Sequence, residues 1–128
     1  MGNKSIKDVW SENKMIEYIL EYRKFCSQLN EGTSKNDIKR HNLAMKKLSE
    51  LYYKIEPQED KSFVLELLNE KNIRIGLLVA SHCLGWGIYI KEAKNVLKKI
   101  SKSSENQEIA FDAKMTLEVY KEQGYLKF

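Results

Sequence analysis

Apolar side chains in this chain recur every three or four residues along nearly its whole length, and that period admits helices and little else. Met15, Tyr18, Ile19, Tyr22, Phe25, Cys26 and Leu29 share one face of a helix predicted over about Ser11 to Leu29, with Glu17, Glu21 and Lys24 opposite. Gly32 can supply the left-handed residue that ends it. Ser34, with Asp37 three residues later, approximates a capping box for a second helix. Its stripe is Ile38, His41, Met45, Leu48, Tyr52 and Ile55, widened by Ala44 and Leu51, and Pro57 stops it. A third helix, about Gln58 to Asn69, turns Phe63, Val64, Leu67 and Leu68 inward.

The fourth segment, Ile73 to Leu84, is apolar on every side apart from Arg74, Ser81 and His82, which suits a central helix packed from several directions. Its β-branched Ile73, Ile75 and Val79 would suit a buried strand, but its length and its alanine and leucine content favour a helix. Gly85-Trp86-Gly87 is expected to break it. The fifth helix, about Tyr89 to Ser101, buries Ile90, Ala93, Val96, Leu97 and Ile100. The sixth, about Gln107 to Gln123, buries Ile109, Ala110, Ala113, Leu117 and Tyr120 and stops at Gly124. The aromatic tail Tyr125 to Phe128 is expected to fold back onto the last helix pair.

With 128 residues the chain holds one core, large enough to fold without a disulfide or a metal. One proline and six glycines leave no linker. The expectation is a single all-α domain over 1–128, with a helical hairpin in 1–57 and stacked repeats in 58–128. Short loops make neighbouring helices antiparallel, and units of this kind bury their apolar faces only by stacking.

The net charge of +4 is spread along the sequence rather than gathered in an arm or tail. That permits nucleic-acid binding without arguing for it. The start of the chain lacks a secretory apolar core, and Ser5 falls one place short of a myristoylation pattern. The longest apolar run, Ile75 to Ala80, is too short to span a bilayer. A cytoplasmic address is therefore expected, with no membrane partner.

From Asn72 through Ile73, Arg74, Ala80 and Leu84, the order of loop asparagine, β-branched residue, arginine, alanine and leucine resembles the second helix of a HEAT repeat. Ile90, Ala93, Val96, Leu97 and Ile100 resemble the next helix of such a stack, and Ile109 through Tyr120 to Gly124 the closing one. This order is similar to that of a family of small bacterial HEAT-like proteins, over residues 58–126. The resemblance implies a right-handed superhelical stack, a bacterial source and an immunity-type role in neutralising a toxin. It carries over no catalytic residue. Gly85-Trp86-Gly87-Ile88-Tyr89 departs from the acidic, proline-bearing turn of the family.

His41, His82, Cys26 and Cys83 supply the atoms of a zinc site, but adjacent His82 and Cys83 point about 100° apart on a helix, so no metal or cofactor is expected. Cys83 on an apolar helix has its thiol pKa raised by burial, which argues against a nucleophile. Glu17 with Glu21, and Glu118 with Glu122, read as solvated pairs for lysines. Arg74 opposes the dipole of its own helix and therefore needs a partner, either an acid or carbonyl nearby or a bound protein. The lysines at 35, 39, 46, 47, 98, 99 and 102, with Arg40, read as solvated outer faces. Trp86, Tyr89, Tyr125 and Phe128, lying in turns and the tail, either close the ends of the stack or anchor an interface.

The expected function is a non-enzymatic protein-binding module, concretely an immunity-type inhibitor that covers an acidic surface on a toxin. Nucleic-acid binding on a concave face and a structural or adaptor role stand behind it. The candidate partner-binding residues are Arg74, Trp86, Tyr89, Tyr125 and Phe128.

Overall fold

The computed structural model describes residues 6–29, 34–126 and 128, with the backbone alone for 6–11. The described residues form six helices and no strand: α1 (Ile6–Ser27), α2 (Lys35–Ile55), α3 (Val64–Leu68), α4 (Ile73–Trp86), α5 (Ile90–Ser101) and α6 (Gln107–Gln123). The all-α expectation holds. The stop expected at Gly32 lies outside the described residues.

Local chemistry sets most of the ends. Ser34 Oγ accepts the Asp37 N–H at 3.1 Å and starts α2. Asn72 Oδ1 accepts the N–H groups of Arg74 (2.9 Å) and Ile75 (3.4 Å), and Asn106 Oδ1 does the same for Glu108 (3.0 Å) and Ile109 (3.1 Å). Two long helices of the C-terminal half thus begin on the same asparagine device, each satisfying two otherwise orphaned donors.

Three boundaries differ from the sequence reading. Helix α1 begins at Ile6, about a turn earlier. Helix α3 keeps only five residues, because Asp60 Oδ1 captures the Ser62 N–H at 2.9 Å and turns the chain before Phe63. Helix α4 runs through Gly85 and Trp86 instead of breaking there. It ends two residues later, at the last residue of the expected breaker, in a Schellman motif with left-handed Gly87 donating to Leu84 O (3.3 Å) and Ile88 to Cys83 O (3.0 Å). Gly124, also left-handed, donates to Tyr120 O at 2.7 Å and closes α6.

Helix α4 is the central element, in contact with α1, α3, α5 and α6, and the most extensive packing joins α4 to α5 and α5 to α6. Val79, Ala80, Cys83, Ala93, Leu97 and Ala113 are fully shielded in that seam. Helices α1 and α2 pack on each other, and Tyr22, Cys26, Leu48, Leu51 and Ile55 of the pair enter the same core. The apolar stripe of α2 is only half right. Ala44, Leu48, Leu51, Tyr52 and Ile55 are buried, but Ile38 and Met45 face outward. Glu21, expected on the solvated face of α1, is half-buried instead.

Candidate functional site

Aromatic rings converge where α2, α4 and the tail meet. His82 and Trp86 are four residues apart, which puts them on one face of α4. Tyr52 of α2 lies against both: its ring is stacked on Trp86 (centroids 5.2 Å, planes 6° apart) and meets His82 edge-on at 5.1 Å. The Trp86 indole N–H donates to Tyr52 O at 3.3 Å, fixing the stack. Phe128 closes the group at 4.6 Å from Tyr52 and 5.0 Å from His82. The tail therefore reaches back to α2 and α4, not simply onto the last pair.

Gly85 makes this closure possible. A Cβ there would stand 2.7 Å from Phe128 Cε2 and 2.8 Å from the Tyr52 hydroxyl oxygen. Without a side chain there, both rings can approach the backbone of α4 closely.

Beneath the rings, Tyr22 Oη and His82 Nδ1 lie 2.8 Å apart and share a buried hydrogen bond. Burial drives the imidazole pKa down to about 3, so His82 is neutral near pH 7. Burial, then Cys83, Cys26 and Tyr52, hold the Tyr22 phenol well above its ordinary pKa. Burial also pushes both thiols up to about 12, Arg74 partly opposing this at Cys26 and Glu92 adding to it at Cys83. Thiols in this state are protonated at neutral pH and poor nucleophiles. The cluster is thus a satisfied polar contact inside an aromatic wall. Among the described residues, no group of three or more His, Cys, Asp or Glu side chains could hold a metal ion.

The five candidate residues do not form one site. Trp86 and Phe128 join the aromatic group, each packed against Tyr52. Arg74 is half-buried at the start of α4, close enough to Cys26 of α1 for its charge to act on that thiol. Tyr89 is half-buried ahead of α5, in a left-handed conformation (φ 46°) that costs a non-glycine residue about 1–2 kcal/mol. Packing against the core holds it there. Tyr125 faces outward, its carbonyl accepting from Gln123 Nε2 at 3.3 Å.

Two features escaped the sequence reading. Arg23 of α1 reaches Glu66 (Nη2 to Oε1, 3.6 Å) and Glu70 (Nε to Oε1, 2.6 Å), tying the hairpin to the α3 region. No periodic signal marks a cross-helix pair of that kind. The second is a set of large apolar residues left in solvent: Ile16 and Leu20 on α1, Ile38, Leu43, Met45 and Tyr53 on α2, and Phe111 and Met115 on α6. Leu43 and Leu20 lie outside the apolar stripes, and for Leu43 the four cations three and four residues away were the available clue.

No protein-family model matches this chain, and neither a curated protein nor a solved structure does. No helix among the described residues is long and apolar enough to cross a membrane.

Proposed function

We propose that this protein is a protein-binding module that acts by covering a surface of its partner rather than by transforming a substrate. The observation that carries this is the set of exposed large side chains on α1, α2 and α6, with Leu20 57% and Phe111 60% accessible. A scatter of single exposed apolar residues is ordinary, but on α1 and α2 they recur within one helical hairpin. Bound to another protein, such residues lose contact with water and supply the apolar part of an interface.

The finer reading is an immunity-type inhibitor built on a HEAT-like stack. Its support is the sequential packing of α4, α5 and α6 across short loops, together with the repeated asparagine caps of α4 and α6. A positive net charge suits an acidic partner and speeds encounter more than it fixes affinity. The cytosol is the compartment in which such a module with two reduced, buried thiols works.

The test is affinity capture from native lysate, identification of the captured protein, and reconstitution of the pair from purified components. A stoichiometric complex in which the partner loses its own activity is the expected result. Recovery of no partner, and no binding to the products of neighbouring genes, would sink the proposal.

A further inference from the structure

We infer that the outward face of α2 centred on Leu43, with the α1–α2 groove beside it, docks an acidic amphipathic helix of the protein partner. This inference rests on the protein-binding reading and deepens it by naming the surface and the chemistry it takes.

Charge provides the first argument. Helix α2 carries six basic and two acidic residues, a balance of +4 that equals the net charge of the whole chain. Within it Lys39, Arg40, Lys46 and Lys47 stand at three or four residues on either side of Leu43, so all four cations share its face. All five side chains are exposed, Leu43 by 54%. Among the described residues, only Lys47 of the four cations makes an ion pair, with Glu50 at 3.6 Å. An exposed leucine inside a ring of cations is the complement of an apolar residue flanked by carboxylates on a facing helix.

The groove supplies the second argument. Leu43 lies on the lip of a channel of about 450 Å³ between α1 and α2, where Phe25 and Leu51 form the apolar lining and Lys24 and Lys54 add cations. Glu21 and Glu50 also line it, Glu50 paired with Lys47. An amphipathic polypeptide covers Leu43 and the apolar lining with its own apolar residues while its carboxylates meet the cations, whereas a phosphate backbone offers the cations charge alone. A second copy of this chain would oppose one basic face to another. An acidic amphipathic helix satisfies the leucine and the cations together.

The probe is a labelled synthetic peptide designed as an acidic amphipathic helix, leucine on one face and glutamate beside it, read by fluorescence anisotropy against the full chain. The expected result is saturable binding that weakens about tenfold with Leu43→Ala, as loss of one buried leucine requires. Binding should also weaken with Lys46→Glu, with a peptide whose glutamates are replaced by glutamine, and with rising salt. Circular dichroism of the exposed-site variants should match the parent.

Equal binding of the peptide by the parent, Leu43→Ala and Lys46→Glu would overturn the inference. So would tighter binding of a short DNA duplex, or of phosphatidylcholine vesicles containing phosphatidylglycerol, lost on the same substitutions. If an identified natural partner binds Leu43→Ala as well as it binds the parent, this surface is wrong and the protein-binding reading survives. If no natural partner exists, that reading fails and the peptide titration still judges the surface.

Discussion

The two halves of the molecule place their apolar side chains differently. In α4 and α5 the apolar positions face neighbouring helices, and Val79, Cys83, Ala93 and Leu97 are completely buried. In α1 and α2 the apolar residues divide, one set entering the core and another, including Ile16, Leu20, Ile38 and Leu43, facing out. The same helical period therefore serves cohesion in one half and exposure in the other. A helix with two apolar faces has one more than its own chain can cover, which is what a surface awaiting a partner requires.

Substitutions can break this contrast, the core variant first. Leu97→Ala should cost about 3–4 kcal/mol, since it opens a cavity in the tightest seam. Urea unfolding monitored by circular dichroism measures it, and a loss no larger than that of a surface variant would erase the contrast between the two halves.

Acid should act on the junction between the halves. Folded His82, with its pKa down near 3, stays neutral, whereas the unfolded imidazole takes a proton near its ordinary value of 6.5. Its contribution is therefore complete above about pH 6.5 and is lost progressively as pH falls toward 3. From pH 6.5 to pH 5 that loss is about 2 kcal/mol. Urea midpoints across this range should fall more steeply for the parent than for His82→Phe, and parallel slopes would contradict the buried, neutral assignment.

Gly85→Ala sets two effects against each other. Alanine favours a helix by about 1 kcal/mol over glycine, but its methyl would displace the Tyr52 and Phe128 rings, costing about 1–3 kcal/mol. Net destabilisation of about 1 kcal/mol is expected, and combining it with Phe128→Ala should relieve part of the clash. Strict additivity in that double-mutant cycle would show that the rings do not share the space. Smallest of all, Ile38→Ala should change stability by less than about 0.5 kcal/mol, because its side chain is half in solvent already.

Much of the fold was legible in the sequence because it is written in local terms. Ser34, Gly124 and the period of α5 and α6 act within a turn or two, and those elements lie where the pattern puts them. The misreadings came from competition at greater range. Gly85 looked like a breaker because glycine often is one, yet here the left-handed residue is Gly87 and Gly85 is small to admit rings from 33 and 43 positions away. Asp60 shortened α3 through one side-chain bond that helical spacing does not encode. Periodicity also counted Ile38 and Met45 as buried, because it reports that a face is apolar without reporting what covers it. The candidate site was legible only in part: Trp86 and Phe128 pack against the same two rings, Tyr52 and His82, and helical spacing does not encode that meeting.

The shut thiols also provide a clock. Cys26 sits on α1 and Cys83 on α4, both buried and protonated, so an alkylating reagent can modify either only when its helix opens. If the hairpin breathes independently of the stack, Cys26 will be labelled first, and the lag before Cys83 reacts will time the separation of the two halves.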